Sequence, residues 1–234
     1  MTSEHLVTKH VYAVGTGDCH VFLLLGPESV AVVDAGFPGT WPLVEQALGE
    51  VGRTPGDVSD ILVTHCHIDH AGGLSELKEA TGARVWMHAA DAEMVGKGQA
   101  FRPWKAAPGL RNWWFARHVV AKSPQTFPPV AVDKFVRSGE VIPVAGGIKA
   151  VHTPGHSAGH MVFLWPVDGG VLFTGDAANN VRGLNGPNIF EDGKLAADSL
   201  RKVSGEKFRV ACFAHGAPIV GNADGHFRDK WSGA

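Results

Sequence analysis

His65, His67, Asp69 and His70 put three imidazoles and a carboxylate into six consecutive residues, inside the run Thr64-His65-Cys66-His67-Ile68-Asp69-His70-Ala71-Gly72-Gly73. Such a density of ligand-type side chains points to metal, since neutral imidazole and carboxylate suit zinc, iron or manganese. Histidines on alternate residues share a direction only where the backbone is extended or tightly looped. Further along, His156 in Thr153-Pro154-Gly155-His156-Ser157, Asp176 in Thr174-Gly175-Asp176 and His215 in Ala214-His215-Gly216 again set a ligand-type residue beside a glycine. The chemistry that follows is hydrolysis at a two-metal centre, in which water held between cations loses a proton near neutral pH. No protein nucleophile is needed, and neither a Gly-x-Ser-x-Gly nor a Cys/His arrangement is present.

Buried strands must deliver these residues. Val11 to Val14, His20 to Leu25 and Val30 to Val33 are β-rich runs separated by turn chemistry, which predicts an antiparallel meander ending at Asp34-Ala35-Gly36. Asp34 there has two readings, a cap of its own loop or a partner that orients a ligand. Trp41, Val44, Ala47, Leu48 and Val51 fall at three-and-four spacing behind Thr40, predicting a helix with Thr40 as its cap. Ile61 to Val63 is the buried strand that delivers the first motif, Leu74 to Thr81 continues as helix, and Arg84 to Met87 is the next strand. In the second half Phe135-Val136, Val141-Ile142, Ile148 to His152, His160 to Trp165, Val171 to Thr174 and Val210 to Phe213 read as strands, with a helix over Ala197 to Val203. Alternating strands and helices favour α/β packing.

From Glu93 to Asp133 no acidic residue intervenes, while Lys97, Arg102, Lys105, Arg111, Arg117 and Lys122 are interleaved with Phe101, Trp104, Trp113, Trp114 and Phe115. We read one domain over residues 1–234 with this basic aromatic insertion at about 95–130. Leu110 to Ala121 is predicted as an amphipathic helix with the tryptophans on its apolar side. It serves as a packed cap, as a substrate lid using Trp104, Trp113, Trp114 and Arg117, or as a homodimer or membrane-surface contact. A formal net charge of −2 implies no nucleic-acid partner, and no apolar run reaches the roughly 18 residues of a membrane span. Met1 to His10 lacks the layout of a secretory signal. With Cys19, Cys66 and Cys212 read as reduced thiols, a cytoplasmic protein acting on a small molecule is expected.

Taken in order, His65-Cys66-His67-Ile68-Asp69-His70, Thr153-Pro154-Gly155-His156-Ser157, Phe173-Thr174-Gly175-Asp176 and Ala214-His215-Gly216 resemble the successive metal motifs of the metallo-β-lactamase-fold superfamily, glyoxalase II-like branch. Asp34 matches a further, non-ligand motif of that family. The resemblance spans about residues 12 to 221 and implies a four-layer αββα sandwich, of class α/β (α+β), in which two mixed β-sheets are flanked by helices. It implies that His65, His67 and His156 hold one metal, that Asp69, His70 and His215 hold a second, and that Asp176 bridges them. The expected cofactors are two divalent ions, zinc first, with iron or manganese as alternatives, and no cysteine among the ligands. Cys66 should face away, and His160 should fix the tautomer of a ligand. Asp69 would also orient the attacking hydroxide as the catalytic residue. His88, His118, His152 and His226 receive no function.

The expected reaction is cleavage of an ester, thioester or lactone, with lactam hydrolysis as a side activity. Because the chain stops soon after His215, the basic helical part that binds glutathione in hydroxyacylglutathione hydrolases is expected to be missing, which weighs against glutathione thioesters. The alternatives are a mononuclear iron persulfide dioxygenase-like oxidoreductase, with its arginine-rich stretch only hinted at by Arg182-Gly183, a metallo-β-lactamase activity, and a non-enzymatic metal-binding protein.

Overall fold

The computed structural model describes residues 5–233, so that residues 1–4 of the Met1–His10 stretch read above lie outside it. In the first half the strands are β1 (Leu6–Thr8), β2 (Val11–Gly15), β3 (His20–Leu25), β4 (Val30–Val33), β5 (Val58–Leu62), β6 (Arg84–Met87), β7 (Lys105–Ala106) and β8 (Lys134–Phe135). One mixed sheet takes them in the order β1-β2-β3-β4-β5-β6-β8. Its pairings are antiparallel from β1 to β4, as the turns predicted, and parallel from β4 onward. The second half supplies β9 (Val141–Ile142), β10 (Ile148–His152), β11 (Met161–Trp165), β12 (Val171–Phe173), β13 (Ile189–Phe190), β14 (Val210–Cys212) and β15 (Ile219–Val220). A second sheet runs β15-β14-β12-β11-β10-β9, while β13 pairs with β7 instead.

Successive side chains on a strand point to opposite faces. Val21, Leu23, Val30, Val32 and Ile61 therefore pack on one side of the first sheet, against α1 (Trp41–Glu50) through Val44 and Leu48. The one-turn α2 (Ile68–Ala71), α3 (Leu74–Thr81) and α4 (Ala89–Gly96) complete that layer with Ile68, Leu74, Leu77, Met94 and Val95. Phe22, Leu24, Ala31, Val33 and Leu62 face the other way and meet Ile148, Ala150, Phe163, Trp165 and Phe173 of the second sheet. Val151, Val162, Leu172 and Ala211, on that sheet's outer face, are covered by α6 (Gly193–Ser204) and α7 (Ala223–Trp231) through Leu200, Val203 and Phe227. The layers are helix, sheet, sheet, helix, as expected, and strands buried on both faces read as unbroken apolar runs.

Direction places the site. β4 and β5 are parallel neighbours, and β10, β12 and β14 share one direction because β11 is antiparallel to both β10 and β12 while β12 is parallel to β14. The loops after β4 and β5, like those after β10, β12 and β14, thus gather at common sheet edges, and these loops carry Asp34, His65, His67, Asp69, His70, His156, Asp176 and His215.

Several elements differ from expectation. β1, α4 and α7 were not anticipated. Thr40 stands at the N-cap of α1, but its backbone is helical (φ −76°, ψ −21°) and its hydroxyl makes no cap bond, whereas a capping side chain needs extended backbone to reach back. In the insertion, α5 (Leu110–His118) ends before Ala121 and a short 3-10 turn follows at Val120–Lys122. Trp113 and Trp114 are not on its buried side but 55% and 56% exposed. The buried side carries Ala116, with Phe115 packed beside it.

Candidate metal centre

The first motif divides because its backbone changes form inside it. After β5 the chain runs as a loop that bends at Cys66 and His67, and His67 (φ −64°, ψ 154°) is the N-cap of α2. His65 and His67 therefore project from the strand-end loop, whereas Asp69 and His70 come from a helical turn. Gly73 lets that turn settle on the Asp34 loop, since a Cβ there would stand 2.4 Å from the Ala35 carbonyl oxygen. The His70 carbonyl accepts the Ala35 N–H at 2.7 Å, and the Gly36 carbonyl that of Gly73 at 2.9 Å.

Three ring nitrogens converge at one point. His156 Nε2 lies 3.1 Å from His65 Nε2 and 2.9 Å from His67 Nδ1. His156 Nδ1 donates to the Ile189 carbonyl at 2.9 Å, and His65 Nδ1 donates to Thr64 Oγ1 at 3.0 Å. The facing Nε2 atoms are thus lone pairs pointing at each other, an arrangement that a cation relieves. Tetrahedral bonds of 2.0–2.1 Å would hold such nitrogens about 3.3 Å apart, so the spacing fits. Beside them a second group forms, in which His215 Nε2 lies 3.2 Å from Asp69 Oδ2 and 3.2 Å from Asp176 Oδ1, and His70 Nε2 lies 3.3 Å from Asp176 Oδ1. Asp176 turns its other oxygen to the first group, Oδ2 being 3.4 Å from His156 Nε2. His70 Nε2 and Asp176 Oδ1 are buried with no hydrogen-bond partner among the described atoms, which also fits a cation between them.

Outer partners fix which nitrogen faces in. Asp34, held at a left-handed φ of 63°, accepts the Thr64 N–H at 2.7 Å, the Thr64 hydroxyl at 2.9 Å and His70 Nδ1–H at 2.9 Å. Of its two readings, the carboxylate thus takes up the partner role toward His70. His215 Nδ1 donates to the Asp18 carbonyl at 2.6 Å. His160 stands apart from the ligand groups. Its Nε2 accepts the Asp176 N–H at 3.0 Å and its Nδ1 meets Thr153 Oγ1 at 2.8 Å, so it anchors the Gly175-Asp176 turn.

Electrostatics separate the two groups. Burial, reinforced by neighbouring imidazoles, pushes His65, His67 and His160 well below the ordinary histidine range and lowers His156. Their lone pairs are therefore available at neutral pH. For His70 burial works the same way, but the carboxylates of Asp69, Asp176 and Asp34 outweigh it and raise the ring to about 10. His215 is likewise carried well up by Asp176 and Asp69 against its burial. Burial would raise Asp69, yet His70 and His215 bring it down to about 2.

Sequence reasoning missed several residues. Cys19 Sγ joins the Asp69, His70 and His215 ligand atoms, all within 4.8 Å of one another. Asp91, on α4 and fully buried, accepts the Cys66 N–H at 3.2 Å, the Gly159 N–H at 2.9 Å and the Ser157 hydroxyl. Arg102 from the insertion donates to Asp91 at 2.8 Å and to Glu191 at 3.1 Å. A buried aspartate tying both histidine loops together leaves no linear signal. Phe101 lies against the His67 ring, centroids 4.5 Å apart. Trp104 packs with Ile189, the residue whose carbonyl holds His156. Trp113, Trp114 and Arg117 stay exposed on α5, where the Trp114 ring stacks on His118. The Cys66 thiol points to the Ala100 carbonyl at 3.6 Å. His88 and His152 stack on each other with centroids 4.2 Å apart.

Comparison with known proteins identifies relatives of the chain. The model of the Metallo-beta-lactamase superfamily matches residues 14–215. The chain is 28% identical over 219 residues to the probable metallo-hydrolase YflN of Bacillus subtilis, covering 83% of this chain and 78% of that one. It is 31% identical over 191 residues to the hydroxyacylglutathione hydrolase of Cereibacter sphaeroides, covering 80% of this chain but only 58% of that relative. Among solved structures, BJP-1, a subclass B3 metallo-beta-lactamase of Bradyrhizobium japonicum, superposes with a TM-score of 0.69 at 22% identity, over 96% of this chain and 88% of that one.

Proposed function

The chain belongs to the metallo-beta-lactamase superfamily, and from that premise we propose that it is a binuclear metal-dependent hydrolase of ester, thioester or lactone bonds. The observation that carries the reading is Asp176, whose two oxygens face two different ligand groups. His65, His67 and His156 would hold one cation, Asp69, His70 and His215 a second, with Asp176 between them. When bound, such a pair lowers the pKa of water toward roughly 7 and polarises the carbonyl under attack. Asp69, kept ionised by His70 and His215, is an acceptor for a water proton and so aims the attacking oxygen. Asp34 and the Asp18 carbonyl hold the His70 and His215 rings with Nε2 inward, while Phe101 gives the His67 side an apolar wall that excludes bulk water. Trp104 extends that wall, and we assign substrate contact to this part of the insertion before the exposed α5 face. The relation to a hydroxyacylglutathione hydrolase supports a thioester among the substrates. No helix among the described residues is long and apolar enough to cross a membrane. Three unpaired, buried cysteines support a reducing, cytoplasmic setting.

Metal analysis joined to a panel of thioesters, lactones and esters tests the proposal. Two equivalents of zinc and oxygen-independent turnover, abolished by the double change Asp69→Ala, His70→Ala, are expected. Turnover surviving that change would contradict the mechanism. Iron with oxygen uptake on a persulfide would replace hydrolysis by the dioxygenase reading.

A further inference from the structure

Cys19 lies where the two sheets meet. It precedes β3 of the first sheet, and the adjoining His20 N–H donates to the Ala214 carbonyl, next to His215 and beyond β14 of the second sheet, at 2.9 Å. On its other side, the Asp18 carbonyl holds His215 Nδ1 at 2.6 Å. The thiol is 0% exposed. Among the described residues its one hydrogen-bond contact is a long one to its neighbour's carbonyl, Sγ to His20 O at 3.7 Å. Independently, His70 Nε2, equally buried, makes no well-aligned hydrogen bond among the described atoms, although Asp176 Oδ1 stands 3.3 Å away, and it points into the same space.

We propose that Cys19 Sγ is a direct ligand of the cation held by Asp69, His70 and His215. The inference rests on the two-cation reading above. Bonds of about 2.0–2.2 Å to nitrogen and oxygen and about 2.3 Å to sulfur set such ligand atoms about 3.3–3.6 Å apart. The four atoms already lie within 4.8 Å of one another, so closure draws any pair together by at most about 1.5 Å. When the cation binds, the S–H bond is lost, a sulfur–metal bond forms and the proton leaves to solvent, with no change of oxidation state. Asp69, Asp176, one thiolate and the hydroxide of the proposed reaction together balance two divalent cations, so the site can accept the extra anion. One soft donor would also bias this position toward zinc or iron and against manganese and magnesium, a selectivity that imidazole and carboxylate alone do not supply.

Cobalt loading reads the bond directly. Apoprotein titrated with Co(II) is expected to take two equivalents, giving visible d–d bands from both positions and a near-ultraviolet thiolate-to-cobalt charge-transfer band. Cys19→Ser should lose the charge-transfer band, keep d–d absorption, and bind the second equivalent at least about 10–100-fold more weakly, as loss of even an outer partner does. Cys212→Ala, altered in the core of the second sheet, should keep the band. Two equivalents bound by the wild type without the band would overturn the thiolate ligand alone, as would a band undiminished in Cys19→Ser. Uptake of one equivalent or fewer would remove the two-cation reading as well. Should Cys19→Ser fail to fold, X-ray absorption of the wild-type zinc protein decides the matter. One sulfur at about 2.3 Å shared between two zincs upholds the proposal, and none overturns it.

Discussion

Burial favours a neutral His70 ring, but Asp69, Asp176 and Asp34 outweigh it and hold the imidazole protonated, at about 10. A histidine whose folded pKa is raised contributes stability that is complete below its unfolded value near 6.5 and is lost as pH climbs through the folded one. Protein stripped of metal by a chelator is therefore expected to lose thermal stability steadily between pH 7 and 10. The zinc-loaded protein, whose carboxylates are neutralised by cations, should lose less over that range. By the same balance, zinc added to apoprotein at pH 7 should displace protons from His70 and His215, measurable with an indicator dye in weak buffer. Zinc uptake without proton release would show that those rings start neutral. Asp34 offers a second residue-scale test. Asp34→Ala frees His70 Nδ1 and the Thr64 hydroxyl together and should weaken zinc binding about 10–100-fold. Asp34→Asn, tolerant of a positive φ and still carrying an acceptor, should be milder in equilibrium dialysis.

Among the elements, α4 does more than cover a sheet. Its Asp91 holds the loop after β5 through the Cys66 N–H and the loop after β10 through Ser157 and Gly159, with Arg102 of the insertion as its counterion. Asp91→Ala would leave Arg102 with Glu191, unpair the buried Cys66 and Gly159 N–H groups and release both histidine loops. We expect a loss of about 2–5 kcal/mol in urea unfolding, together with reduced zinc occupancy. A variant as stable as the wild type would deny the network this role. Sequence periodicity hid α4 because Ala89-Ala90-Asp91-Ala92-Glu93-Met94-Val95-Gly96 has a weak apolar stripe and buries its one aspartate. It hid α7 because Phe227 and Trp231 are the only large apolar side chains on that helix.

Across the whole molecule, the insertion leaves the core at Val95–Gly98 and returns at Phe127–Val130, closed by the bonds Phe127 N–H to Gly98 and Val130 N–H to Val95. Its inner side packs Phe101 and Trp104 toward the centre, while Leu110, Trp113, Trp114 and Val119 form an exposed apolar band along and just after α5. Bands of this kind mark interaction surfaces. The double change Trp113→Ala, Trp114→Ala should move unfolding by no more than about 0.5 kcal/mol. It should also reduce self-association in sedimentation at high protein concentration, the outcome expected of a homodimer contact. Destabilisation by several kcal/mol would instead make these rings part of the packed cap.

The ligand types, their order and their position just after buried strands were legible in the amino-acid sequence, because strand alternation and turn chemistry are local and a short motif carries its own backbone preference. So was α/β packing, through the alternation of strands and helices, whereas the four-layer sandwich came only with the resemblance of the motifs to a known family. What only the tertiary structure decided is which atoms meet. Asp176 divides its oxygens between two groups, Asp91 ties two loops into one wall, and Cys19 reaches His215 only because the edge of β3 hydrogen-bonds to the loop after β14. These are distances between residues far apart in the chain, and no periodicity encodes them. They are set when the two sheets pack and close their shared edge around the same buried charge.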